Sequence, residues 1–174
     1  VDAAPQASFH YTFTLFGKTI STDDTQVEFK NLSLTEEDIP ALRAALGAMT
    51  DCKAFILGSS GLSSEQLAEI RADFPRTELV WRIKFGKYSA MTNAETIRAV
   101  YNVFDDTINE LKYCWRTKYM DIGHNDTLTD LSFVGYMPDL EILIASGSAV
   151  KELPEGIGNC KKLEFLELAN CYKL

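Results

Sequence analysis

Residues 163–174 read LEFLELANCYKL. Leu163, Leu166, Leu168, Cys171 and Leu174 fall at a spacing that neither a continuous helix (period 3.6) nor an alternating strand (period 2) produces. The L-x-L at Leu166 and Leu168 puts two leucines on one face of a short strand, and Leu163 leads into it from the preceding turn. The pattern recurs. Twenty-three residues earlier it is Leu140, Leu143, Ala145 and Ser148, followed by Val150; another 23 earlier it is Thr117, Met120, Ile122 and Asn125, followed by Leu128.

Asn125, Ser148 and Cys171 occupy the place where each strand ends and the chain bends inward. A turning chain leaves buried backbone groups unpaired, and a polar side chain at the bend can satisfy them. Asn125 suits this best, Ser148 less, and Cys171 fits chiefly by size. The stretches LSFVGYMPD and LPEGIGNCKK return to the next strand as a short helix or irregular arc. Each unit covers only its neighbours, so several must stack before a core exists.

On this frame, residues 117–174 resemble a leucine-rich repeat solenoid, most closely in LPEGIGNCKKLEFLEL from Leu153 to Leu168. The same frame is visible upstream at Cys52, Phe55, Leu57, Ser60 and Leu62. A helix follows in SSEQLAEIRADFP, with a Ser63–Gln66 capping box, a stripe of Leu67, Ile70 and Phe74, and an exit at Pro75. TELVWRIKF, at 77–85, alternates as a strand. Val27 and Phe29 in QVEFKNLSL precede a second helix, TEEDIPALRAALGAM, with Ile39, Leu42, Leu46 and Met49 on one face and Pro40 near its first turn. A strand and a full helix at this longer step resemble the ribonuclease-inhibitor type of repeat. A third helix is expected in NAETIRAVYNVFDDTINELKYC (93–114), capped by Thr92 and Glu95 and packed through Ile97, Val100, Tyr101, Phe104, Ile108 and Leu111.

The tripeptide FGK occurs twice, in FTLFGKTIST and RIKFGKYSAMT. It is not a phosphate loop, because the glycine needed five places before Gly17 is Thr12. Gly-Lys is read instead as a hairpin turn, and the first hairpin as a cover for the open edge of the first repeat strand. The expected organisation is a linker or processed end at 1–8, an N-terminal capping region with hairpin and helix-containing repeats at 9–116, and regular repeats at 117–174, continuous with that region and stopping within a repeat.

These segments together are similar to exported leucine-rich repeat proteins of gut Firmicutes. The resemblance implies an α/β, right-handed solenoid with parallel strands on its concave face, further repeats beyond Leu174, and a secreted or cell-surface location.

The 174 residues carry a formal charge of −8, and their 17 Lys and Arg do not cluster beyond Lys161-Lys162, which argues against nucleic acid or anionic lipid as a partner. No apolar run is long enough for a membrane helix, so no membrane insertion is expected. The four cysteines form no C-x-x-C pair and lie far from His10 and His124, so neither a metal nor a cofactor is expected. Cys114 and Cys160 sit two repeats apart, roughly 10 Å in a parallel sheet, beyond disulfide reach. With Met137 between them they read as a buried column. GSSG at 58–61 lacks the spacing of a nucleophile elbow, and DIGHND at 121–126 reads as a bend, not a metal site.

What remains is the concave strand face. The frame predicts one column of Tyr119, Ile142 and Phe165, a second of Asp121, Ile144 and Glu167, and His124, Gly147 and Asn170 at the strand ends. An aromatic-aliphatic ridge beside carboxylates suits a protein or peptide partner. The expected function is a non-catalytic interaction module. The alternative is a structural cap of a longer array, or a subunit that self-associates through an open C-terminal edge.

Overall fold

The computed structural model describes residues 10–174; the end expected at 1–8 lies outside them. The chain divides into two compact units, one reaching to Trp81 and the other running from Arg82 to Leu174.

In the first unit, β1 (Thr12–Leu15) and β2 (Lys18–Ser21) form an antiparallel hairpin in which Leu15 faces Lys18. Its two-residue loop is therefore Phe16-Gly17, not Gly-Lys, with φ of 48° and 80°, the sign pattern of a type I′ turn. Next come β3 (Gln26–Glu28), β4 (Ala54–Gly58) and the opening residues of β5 (Glu78–Phe85), all parallel, with Val27, Phe55 and Leu79 in one buried row. Each parallel step needs a crossover, and two ten-residue helices supply them: α1 (Ile39–Ala48) and α2 (Ser64–Asp73).

Of the predicted helix faces, Leu42, Leu46 and Met49 are buried below α1 and Leu67 and Ile70 below α2, while Ile39 and Phe74 are half-buried. Pro40 lies in the first turn of α1, where its missing N–H is harmless. Ser63 Oγ accepts from Gln66 N at 3.2 Å, and Gln66 Oε1 accepts from Ser63 N at 2.9 Å, closing the capping box. After β4 the chain turns at Gly58, with φ 60°; a Cβ there would lie 2.3 Å from the Lys30 carbonyl oxygen. The hairpin does not extend the sheet. It reaches the β3 edge through side chains: Lys18 Nζ donates to the Glu28 carbonyl at 2.8 Å, and the Phe16 ring packs edge-on against Phe29.

In the second unit, the later residues of β5 pair antiparallel with β6 (Tyr88–Met91). Phe85 faces Tyr88, so this loop is Gly86-Lys87, with positive φ on Gly86 alone, the sign pattern of a type II′ turn. The two FGK tripeptides thus turn one residue apart.

Four parallel strands follow in chain order: β7 (Thr96–Arg98), β8 (Tyr119–Asp121), β9 (Ile142–Ile144) and β10 (Phe165–Glu167). Ile97, Met120, Leu143 and Leu166 stand in register. This is a leucine-rich repeat arrangement, with the 23-residue step converted into stacked rungs. The returns are short. The first runs through one turn of helix, α3 (Asp105–Ile108), into a 3-10 turn at Asn109–Tyr113. The next two are 3-10 turns at Ser132–Tyr136 and Glu155–Asn159. Gly135 and Gly156 meet between these two arcs, and a Cβ on either would lie 3.0 Å from the other's Cα.

The long helix expected at 93–114 is not formed. Its first part is the rung β7, which pairs with β8. Tyr101 and Asn102 then take φ of 67° and 59°, which no right-handed helix contains. Tyr101 and Phe104, expected to pack inward, are 57% and 45% exposed.

The bend at Asn125 behaves as expected. Asn125, 2% exposed, donates Nδ2 to the carbonyls of Ile122 (2.7 Å) and Ala99 (2.9 Å), and its Oδ1 accepts from Val103 N at 2.9 Å. One side chain thus ties its own strand to the rung before it. Ser148 Oγ and Cys171 Sγ are 3.2 Å apart, and Cys171 Sγ donates weakly to the Ala145 carbonyl at 3.3 Å. Cys114, Met137 and Cys160 are buried in one column. Cys160 is a thiol that donates to the Val134 carbonyl, so it is not bonded to Cys114.

Candidate functional site

The outward residues of the second unit's strands form columns because pairing is parallel and in register. Thr96, Tyr119, Ile142 and Phe165 make one; Arg98, Asp121, Ile144 and Glu167 make the next. Tyr119, Ile142 and Ile144 are half-buried and Phe165 is 48% exposed. All six predicted strand residues are therefore brought together on one sheet face.

β7 contributes Arg98, which the sequence reading did not include. Its guanidinium lies 5.0 Å from the centre of the Tyr119 ring, a cation–π contact between neighbouring rungs. Asp121 Oδ1 accepts from Gly123 N at 3.1 Å, and Glu167 Oε1 accepts from Ser146 Oγ at 2.8 Å. At the other end of the strands, Lys118 Nζ pairs with Glu95 Oε2 at 3.1 Å. Arg98 and Lys118 are thus both engaged, and Glu141, half-buried in the next rung, lies within electrostatic reach of Lys162.

Beyond the strand ends lies a third column: Tyr101, His124, Gly147 and Asn170, with φ of 67°, 58°, 70° and 60°. Every rung leaves its strand through a left-handed residue. Backbone bonds from Tyr101 N to Gly123 O, His124 N to Ser146 O, and Gly147 N to Ala169 O hold the column together. Gly and Asn adopt this conformation readily, whereas tyrosine does so at a cost. His124 and Asn170 fall on the repeat frame of residues 117–174, whereas Tyr101 lies upstream of it. The signal was present, since Tyr101 lies one 23-residue step before His124. It was obscured by apolar spacing that also matches a helix.

Tyr101 stacks on His124, with ring centres 5.3 Å apart and planes 24° apart. These two rings border a cleft of about 430 Å³ whose other walls include Asn102, Phe104, Asp126 and Thr127. Beside it, Asp105 serves the fold. Burial pushes its carboxyl up, but the Thr129 hydroxyl and the amides of Thr129 and Asp130 outweigh that effect and hold it below the ordinary range.

The DIGHND segment does not gather ligands. Asn125 points inward, His124 stacks on Tyr101 and Asp121 closes its own turn. Among the described residues, no group of three or more His, Cys, Asp and Glu is placed to share a metal ion. No helix among them is long and apolar enough to cross a membrane.

No family model matches the chain, and no curated protein matches it. Solved structures do. A leucine-rich repeat protein of Leptospira interrogans is 14% identical, with a TM-score of 0.34, over 85% of this chain and 32% of that one. Internalin C2 of Listeria monocytogenes is 16% identical, with a TM-score of 0.35, over 73% of this chain and 46% of that one. A second Listeria monocytogenes internalin, inlF, is 14% identical, with a TM-score of 0.36, over 88% and 47%. The chain therefore spans about a third to a half of the length of these proteins.

Proposed function

We propose that this chain is a non-catalytic recognition module that binds a protein or peptide on the outer face of its second-unit sheet. The observation that carries this reading is the register: Tyr119, Ile142 and Phe165 form one apolar ridge, flanked by Asp121, Ile144 and Glu167 and by His124 and Asn170 at the strand ends. Apolar side chains left half-exposed in an ordered row, beside polar groups, make the centre and rim of an interface. In this reading the winding is right-handed, the sheet face is concave, and the first unit's strand-helix steps are of the ribonuclease-inhibitor kind, supported by the full helices α1 and α2. Residues 9–116 then serve as the capping region and 117–174 as the binding repeats. Work at a bacterial surface or outside the cell suits such a module.

The test is a peptide display selection on the immobilised chain. Replacing Tyr119, Ile142 and Phe165 together with Ser should abolish binding of the selected peptides while circular dichroism stays unchanged. Peptides that bind the triple variant equally well would place recognition elsewhere.

A second reading, a cap of a longer array or a self-associating subunit, is favoured by one observation. Leu163, Leu166 and Leu168 are only half-buried, whereas Leu140 and Leu143 are fully buried. A further rung or a second copy would cover them. Light scattering decides for the isolated chain: a monomer across a hundredfold concentration range removes self-association.

A further inference from the structure

We infer that the cleft at the strand ends of the second unit is an arginine-recognition site, seating the guanidinium of a partner's arginine on the Tyr101–His124 stack and against the Asp126 carboxylate. The inference goes beyond the sheet-face reading and uses a different set of side chains, with only His124 shared.

Three observations lead to it. The first is conformational. A bulky aromatic at φ 67° is disfavoured, and this position needs none, since Gly147 and Asn170 close the corresponding bends with residues suited to them. Tyr101 is 57% exposed, so burial does not compensate for the strain. What the strained backbone achieves is a flat platform, because it lays the Tyr101 ring on His124 with planes only 24° apart.

The second is the state of the polar groups. Among the described residues, the Tyr101 hydroxyl, the Asn102 amide, the Asp126 carboxylate and the Thr127 hydroxyl line one cleft without a side-chain hydrogen bond or ion pair within the chain. Nearby polar side chains behave differently. Asp105, Thr129, Asp130, Ser132 and Asn109 are tied to one another by hydrogen bonds between 2.5 and 3.3 Å. The chain uses its carboxylates structurally on that side and leaves Asp126 available on this one.

The third is charge. Asp126 is exposed and has no cation partner among the described residues, so in a chain of net charge −8 the cleft's electrostatics favour a cationic ligand. A flat stack beside a carboxylate selects guanidinium over ammonium, because the planar fork can stack and accept two-point pairing at once. The sheet already shows half of this arrangement internally, with the Arg98 guanidinium 5.0 Å from the Tyr119 ring centre.

The experiment is a chemical-shift titration of the ¹⁵N-labelled 174-residue chain with three probes: Nα-acetyl-arginine methylamide, the corresponding lysine amide, and methyl α-glucoside. The arginine probe should shift the amides of Tyr101, Asn102, His124, Asp126 and Thr127, with a dissociation constant on the order of millimolar. It should bind at least about fivefold more tightly than the lysine probe, and Asp126→Asn should weaken it roughly tenfold. Tyr101→Gly should abolish the preference for arginine while leaving the melting temperature unchanged or raising it, since glycine relieves the left-handed strain. A merely structural Tyr101 would lower it. Equal binding of arginine and lysine, tighter binding of the glucoside, or arginine binding untouched by both substitutions would overturn the inference. The triple Ser variant at Tyr119, Ile142 and Phe165 should retain arginine binding, so failure of the sheet-face reading leaves this result standing, and the reverse also holds.

Discussion

Asn125→Ala removes a side chain that bridges two rungs through three buried backbone groups. In the native fold its Oδ1 accepts the Val103 N–H, and its Nδ2 donates to the Ala99 and Ile122 carbonyls, all within 2.9 Å. Alanine leaves a buried N–H without its acceptor and two carbonyls without this donor, in a site too enclosed for bulk water. An orphaned buried donor costs about 1–3 kcal/mol, and each lost bond to a carbonyl about 0.5–1.5 kcal/mol. The sum, allowing for partial relaxation, is about 3–4 kcal/mol. With a urea slope near 2 kcal/mol/M, the midpoint should fall by about 1.5–2 M with the slope unchanged. The assay is urea unfolding followed by Trp115 fluorescence in a Trp81→Phe background, so that only the second unit is observed. Asn125→Asp is the sharper comparison. It is nearly isosteric and can still accept from Val103, but it sets a carboxylate against two carbonyl oxygens, and should cost at least as much as alanine. Ser148→Ala, by contrast, loses one contact to a sulfur and should cost less than about 1 kcal/mol. If Asn125→Ala shifts the midpoint by less than about 0.5 M, or Asp is tolerated, the bridging role is wrong.

Other outcomes follow from the backbone and the thiols. Gly86→Ala would place a Cβ 2.1 Å from the Asn102 carbonyl oxygen at φ 54°, whereas Gly17→Ala at φ 80° meets open space; differential scanning calorimetry should show a loss above about 2 kcal/mol for the first and about 1 kcal/mol for the second. Because Asp105 is held below its ordinary value of 3.8, its contribution is fully present above that pH and is lost as pH falls through the lower folded value. Asp105→Asn should therefore destabilise at pH 7 and flatten the fall in stability below about pH 4, as read by acid titration of the melting temperature. Burial raises the Cys52 and Cys160 thiols, while Cys171 is only partly covered. An aromatic disulfide reagent at pH 8 should label Cys171 first, and Cys52 and Cys160 only on the timescale of unfolding.

Much of this fold was legible where the chain repeats itself. The Leu163 frame leads to β8, β9 and β10 and to the inward Asn125, because a fixed step with fixed side-chain types leaves one arrangement that buries all the leucines. The α2 capping box was equally plain, since Ser63 and Gln66 satisfy each other locally. The failure at 93–114 has a definite cause. Thr92 and Glu95 mimic a cap, and Ile97, Tyr101, Phe104, Ile108 and Leu111 mimic a helix stripe. The competing rung is written weakly, with Ala94 and Ala99 where leucines would stand. Pairing with β8 decides the matter, and tertiary pairing is what local periodicity does not encode. Losing that rung hid Arg98 and Tyr101, and with them half of the strand-end cleft. The FGK tripeptides carry a related lesson: Phe85 is 1% exposed and enters a core, whereas Phe16 sits in the loop itself, so the flanking register and not the motif selects the turn.

The meeting of Gly135 and Gly156 has a mechanical consequence for the repeats. A stacked array bends according to how far apart its outer returns are held compared with its strands. Where two returns touch through hydrogen alone, the outer side is drawn in as far as backbone atoms permit, and the neighbouring strands open toward parallel planes. A methyl group inserted there would act as a wedge, prying the returns apart. On the proposed reading, in which the ridge lies on a concave face, these two small residues would set how deep the hollow is in front of Ile142 and Phe165.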